Sequence, residues 1–157
     1  WQILALRLMT FIEFRVYGLP APQGSKRHIG RGIMVESSKK VRPWRTDVQE
    51  ASRLAYQGKP CDEPVGIEVD FYFPRPKGHY RTGKYSGLLK PYAPVWAVAH
   101  TNGDLDKLLR STCDALSFSS GGCIIRDDSL IGAITATKRY ADIDLPGAAI
   151  RVALLDS

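Results

Sequence analysis

The apolar patterning of this chain predicts an α+β fold, a mixed β-sheet with two main helices packed on it. Three observations carry the prediction. Runs with strand-like alternation outnumber helical ones, several of them follow one another with no helix between, and two segments instead place their apolar residues at helical spacing. At 157 residues the chain fits a single domain, 1–157, a size that can bury a real core.

The first eight residues, WQILALRL, are apolar but have neither a basic leading region nor a small-residue cleavage site, so they make a poor secretory signal. With Met9 as the native start, residues 1–8 are an upstream extension; otherwise a first strand runs from Trp1 to Tyr17. FIEFRVYG (11–18) alternates and is rich in β-formers, which predicts a strand. GLPAPQGSKRHIGRGIMVESSKKVRP follows, a long loop of Gly, Pro, Ser and cations, and loops of that length are usually functional or mobile. PWRTDVQEASRLAYQ (43–57) reads as a helix with Pro43 in its first turn and Gly58 at its stop.

VGIEVDFYFPRP (65–76) puts Val65, Ile67, Val69, Phe71 and Phe73 on one face, with Glu68, Asp70 and Tyr72 opposite, so it is a half-buried strand. Residues 76–101 have no period, and Tyr80, Tyr85, Tyr92 and Trp96 lie there among cations. A second helix begins near Asp104: Leu105, Leu108, Leu109, Thr112, Cys113 and Leu116 share one face, and Asp106, Lys107, Arg110 and Asp114 the other. SFSSGG (117–122) is a loop, CIIRDDSLIGAITATKRYAD (123–142) reads as two strands around a turn at Asp127–Ser129, and GAAIRVALL (147–155) as the last strand. The predicted order is β-α-β-loop-α-β-β-β.

No apolar run approaches the roughly 20 residues of a membrane span. Cys61, Cys113 and Cys123 form no CxxC pair, which argues against a disulfide framework and a thiolate zinc site and suits a reducing cytoplasm. The net charge of +6 is uneven: residues 1–60 carry 11 Lys/Arg against 4 Asp/Glu, while residues 61–157 carry 11 against 12. RPKGHYRTGKYSGLLK (75–90) adds a stretch with five cations and no acid. Such asymmetry points to a polyanion, most often nucleic acid, with plain solubilising charge as the alternative. On that reading Lys26, Arg27, Arg31, Lys39 and Lys40 in the first loop, and Arg75, Lys77, Arg81 and Lys84 in the second stretch, are candidate backbone contacts. Tyr80 or Tyr85 would stack on exposed bases, or simply pack.

NGDLDKLLRSTCDAL (102–116) opens its helix with two aspartates one residue apart. They read either as an N-cap and a first-turn acid favoured by the helix dipole, or as a pair of metal ligands. Inside a helix the two side chains would diverge by about 200°, so sharing an ion requires Asp104 to be extended, just outside the first turn. A second pair, Asp127–Asp128, sits at a predicted turn. Crowded carboxylates repel unless a cation offsets them, and all-oxygen donors suit Mg²⁺ or Mn²⁺. His28, His79 and His100 are not at zinc spacing, and there is no GxxxxGK[ST] loop, GxSxG elbow or Cys–His pairing. Carboxylates, a hard cation and basic loops together meet the needs of phosphodiester hydrolysis.

GDLDKLLRSTCDAL, the following CIIRDDSLI and the preceding YFPRPKGH resemble the RusA family of Holliday-junction resolvases, its phage-type members in particular. The specific part is D-L-D-x-L-x(5)-D-A-L followed by D-D, and the resemblance spans roughly residues 10–155. It implies a RusA-like α+β fold and a small homodimeric, Mg²⁺-dependent endonuclease that nicks four-way DNA junctions symmetrically. By position, the metal-binding catalytic aspartates would be Asp104, Asp106 and Asp128, with Asp127 beside them. The family pattern implies a catalytic lysine where this chain has Arg110. An arginine there offsets phosphate charge but exchanges no proton near neutral pH, which leaves Lys107 as the nearby amine. Asp114 is expected to pair with Arg110 at i,i+4. The same site on another branched DNA or RNA, and a non-catalytic DNA-binding module whose aspartates are caps and turns, are the competing readings.

Overall fold

The computed structural model describes residues 10–24, 26–28, 30–31, 34–36, 39–142 and 145–156; the 1–8 segment lies outside these. The alternating first segment forms β1 (Thr10–Tyr17). The long loop is not featureless, since β2 (Lys26–His28) and β3 (Met34–Glu36) pair antiparallel within it. Helix α1 (Val41–Ala55) follows, with Pro43 in its first turn. It stops two residues earlier than predicted because Tyr56 is already extended, its N–H still closing the last turn on the Ser52 carbonyl.

β4 (Val65–Phe73) buries every residue of the predicted face and leaves Glu68, Asp70 and Tyr72 half-buried. After a long irregular segment come α2 (Leu105–Leu116), β5 (Ile131–Tyr140) and β6 (Gly147–Leu154). The main sheet has the order β1-β6-β4-β5, with β4 and β5 parallel and the other pairs antiparallel. A parallel pair cannot be joined by a hairpin, and here the crossover carries α2. The result is the predicted mixed sheet with two main helices, an α+β fold.

Two registers tie the sheet to its core. Val16 lies opposite Ala148, which lies opposite Phe71, and Phe14 opposite Ile150, which lies opposite Val69. These side chains meet Trp44 and Val48 of α1 and Leu108 and Leu116 of α2 in one apolar cluster. Gly147 is required at the entry to β6: its φ is 153°, and a side chain there would strike the Val16 carbonyl. Trp44 is buried with its indole satisfied, Nε1 donating to Thr112 Oγ1 at 3.0 Å while that hydroxyl donates to the Leu108 carbonyl at 2.8 Å.

The strand expected at 123–126 does not form. Ile124 and Ile125 are both fully buried, which a strand's alternation does not allow on one covered face. They instead lie between two segments: the N–H groups of Ile124 and Ile125 both bond to the Leu116 carbonyl, and Cys61 N–H bonds to the Ile124 carbonyl. Only single bridges to Cys61 and Ser117 mark the place.

Candidate active site

The acidic helix start is shaped by the residue before it. Gly103 has φ 82° and ψ 169°, a conformation essentially reserved for glycine, and a side chain there would meet Pro22. Asp104 follows with φ −82° and ψ 140°, extended and outside α2, while Asp106 occupies the first turn. The condition for the two carboxylates to converge is therefore met in the backbone. Asp104 stands at the cap position but its side chain makes no capping hydrogen bond. It is 68% exposed and its described partner is Lys107, whose Nζ lies 3.6 Å away. Asp106 is exposed.

The tertiary fold brings cations to this point. The loop after β1 is stapled along α2: Ser111 Oγ donates to the Ala21 carbonyl at 2.7 Å, and the Gln23 N–H to the Lys107 carbonyl at 3.0 Å. A cleft of about 280 Å³ opens beside the helix start, lined by Leu19, Pro20, Lys40, Phe73, Asn102 and Tyr140 among others. Phe73 and Tyr140 are the last residues of the parallel strands β4 and β5, so the cleft lies at their carboxyl ends, where open α/β sheets usually bind ligands. Lys138, absent from the sequence-based candidates, donates from Nζ to the Gly103 carbonyl at 2.7 Å. No local signal marks it, because its relevance comes only from the packing of β5 against the start of α2.

The second acidic pair serves differently. Asp127 accepts the Ser129 N–H at 2.9 Å and caps a short 3₁₀ turn, and that hydrogen bond holds its carboxyl below the ordinary range. Partial burial, then the charges of Asp127 and Asp114, pushes Asp128 upward. The helix aspartate whose charge acts on Asp128 is Asp114, eight residues and about 12 Å of helix rise beyond Asp106. The sheet explains the separation: Asp128 precedes β5, whereas Lys138, which touches Gly103, lies seven strand residues or about 23 Å beyond Ile131. Among the described residues no three His, Cys, Asp or Glu side chains are arranged to hold a metal. Asp104, Asp106 and Asp128 are therefore not gathered around one point in this conformation, although their all-carboxylate chemistry suits a hard divalent ion.

The expected Arg110–Asp114 pair is replaced. Asp114 is bonded by Arg45, which reaches across from α1 and also bonds Gln23 at 3.2 Å. Arg110 is left exposed and, among the described residues, without an ion pair. Arg126, beside the second acidic pair, is bound by two prongs to Asp62, at 2.8 and 3.3 Å, which lowers the Asp62 carboxyl and raises the guanidinium.

Of the candidate phosphate contacts, Arg31, Lys39, Lys40, Lys77, Arg81 and Lys84 are exposed. The side chains of Lys26 and Arg27 lie outside the described residues. Arg75 needs correction: its side chain is 2% exposed, and its guanidinium bonds Asp142 and the Pro94 carbonyl, so it bolts the segment after β4 in place and does not face solvent. Tyr80 is half-buried, and Tyr85 has Lys84 over its ring at 5.1 Å.

An α+β domain that presents two exposed carboxylates at a helix start, with Lys107 beside them and Lys40 in the adjoining cleft, has the chemistry of a nucleic-acid-processing protein. The model of the endodeoxyribonuclease RusA family matches residues 18–153. The chain belongs to the RusA family of Holliday-junction resolvases, which are endodeoxyribonucleases. No curated protein matches it significantly. No helix among the described residues is long and apolar enough to cross a membrane.

Proposed function

We propose that this chain is a Mg²⁺-dependent endonuclease, with Mn²⁺ able to substitute, that resolves four-way DNA junctions by paired nicks as a homodimer in recombination or repair in the reducing cytoplasm of a bacterial or phage-infected cell. The observation that carries the reading is Asp104: it is extended at the mouth of α2, its carboxylate caps nothing, and Asp106 stands one residue on. A cap or turn residue would spend its carboxylate on the backbone, as Asp127 does. Asp104 and Asp106 would hold the ion, whose remaining sites go to water and substrate phosphate, the usual pattern for Mg²⁺. When bound, the ion supplies Lewis acidity at the phosphoryl group.

The chain's own residues do the rest. Lys40 in the cleft and exposed Arg110 on the helix offset phosphate charge, Lys107 steadies Asp104, and Lys138 holds the Gly103 turn that sets Asp104 outside the helix. A two-fold dimer suits a junction that needs two matched nicks.

The test is a labelled four-way junction incubated with Mg²⁺ or with EDTA, using wild type and the variants Asp104→Asn, Asp106→Asn and Asp128→Asn. Wild type should give paired nicks only with Mg²⁺, and the first two variants should bind the junction but not cut it. Loss of cutting in Asp128→Asn assigns a third carboxylate to the site; retained cutting in all three variants refutes it. Forks, flaps and structured RNA as competitors rank the branched substrates.

A further inference from the structure

Residues 71–103 hold five Lys/Arg and no Asp or Glu. Within them the chain folds back on itself, Arg81 N–H bonding to the Leu88 carbonyl and Lys90 N–H to the His79 carbonyl at 2.9 Å. A turn then carries Pro91 and Tyr92, closed by Ala93 N–H on the Lys90 carbonyl at 3.1 Å, and two prolines restrict its backbone. The turn is fixed from beneath. Arg75 donates to the Pro94 carbonyl at 2.6 Å, and His79 packs edge-on against Tyr140 with ring centres 5.0 Å apart.

Tyr92 projects from this fixed turn and is 97% exposed. Of the other exposed rings nearby, Tyr85 lies under Lys84 and Trp96 under Arg139, whereas among the described residues no ring or cation covers Tyr92. Beneath it opens a cavity of about 330 Å³, lined by His79, Lys90, Pro91, Tyr92 and Pro94 among others. That volume lies at the small end of ligand pockets, which run about 300–1,000 Å³. Ring-bearing walls, with Lys90 and no acid in the lining, suit a planar base attached to a phosphate. Leu88, Val95, Trp96 and Val98 of the same segment are also exposed, but a ring beside a cavity that Lys90 lines favours a base and its phosphate over a peptide or membrane surface.

We infer that the His79–Tyr92 cavity is a second binding site, taking one unstacked nucleobase of DNA while Lys90 meets the adjoining phosphate. The inference rests on the reading that branched DNA is the substrate, since a crossover is where bases lose their stacking partners. It also replaces Tyr80 and Tyr85 with Tyr92 as the stacking residue.

The test uses fluorescence anisotropy in EDTA with the full chain, an oligothymidylate of about 12 nucleotides and a duplex of equal length. Tyr92→Ala should weaken oligothymidylate binding about 5- to 100-fold, Tyr92→Phe should stay close to wild type, and duplex binding should not change. Because Tyr92 touches no core, melting temperatures should coincide. Tyr92→Ala that binds oligothymidylate like wild type, that loses both DNAs equally, or that changes only the sedimentation of the chain overturns the pocket, the last outcome marking a contact between copies. Wild type that nicks junctions while showing no Tyr92 effect overturns the pocket alone; wild type that binds no DNA overturns the substrate reading with it.

Discussion

Replacing Arg75 with methionine should lower the melting temperature by roughly 6–12 °C and leave the salt dependence of DNA binding unchanged. Arg75 Nε lies 2.9 Å and Nη2 2.6 Å from Asp142 Oδ1, and Nη1 donates to the Pro94 carbonyl at 2.6 Å. Its guanidinium also sits 5.1 Å from the Tyr140 ring centre. Hydrogen bonds involving a charged group contribute about 1.5–3 kcal/mol each. Asp142 is 51% exposed and rehydrates when its partner is lost, and methionine keeps much of the stem packing, so the low end applies. Counting the two contacts to Asp142 Oδ1 as one interaction and the Pro94 contact as the second gives a total of about 3 kcal/mol, and each kcal/mol moves the midpoint of a chain this size by about 2–4 °C. Thermal unfolding followed by circular dichroism measures the first part, and DNA binding titrated across salt concentration measures the second. A phosphate contact would behave in the opposite way, leaving the midpoint in place and making the salt slope shallower by about one unit. That pattern would refute the internal role.

Burial, with help from Glu50, raises the Asp47 carboxyl above its ordinary 3.8, so the fold favours its protonated form. The associated stability is present below that value and lost as pH rises through the folded pKa; Asp47→Asn should therefore raise the melting temperature at pH 7 and give no gain near pH 3. Burial and the Asp114 and Asp128 charges push the Cys113 thiol up to about 12, so iodoacetamide at pH 8 should label Cys123 first, and mass spectrometry should find Cys113 unmodified in the folded chain. Lys138→Met should reduce junction nicking by about tenfold or more through loss of the Gly103 contact, while junction binding in EDTA changes little; equal losses in both would point to a general charge effect. Gly103→Ala should depress nicking in the same way, because alanine cannot hold φ 82° beside Pro22 without shifting Asp104.

Much of the fold was legible because its signals are local. The alternation in Val65–Phe73 and the leucine stripe of Leu105–Leu116 each report one core face; the structure buries the first throughout and, in the second, buries Leu108, Thr112, Cys113 and Leu116 while Leu105 and Leu109 pack partly covered against the core. The segment 123–126 misled because two adjacent isoleucines can be buried either by a strand with both faces covered or by an irregular stretch wedged between neighbours, and periodicity does not separate the two. The short β2–β3 hairpin was hidden for a related reason, since strands of three residues carry too little pattern.

By itself the sequence determined the α+β class, the core faces, the uneven charge and the paired aspartates that mark the family. It also set the requirement that Asp104 stand outside its helix. Only the tertiary structure decided which partner each charged side chain takes. Asp114 goes to Arg45 from the other helix, Arg75 turns inward to Asp142, and Lys138 on β5 reaches the Gly103 carbonyl ahead of α2. The reason is physical. Helix and strand patterns are written in neighbours a few residues apart, whereas ion pairs form wherever packed elements bring opposite charges within a few ångströms, at separations along the chain that no local pattern records.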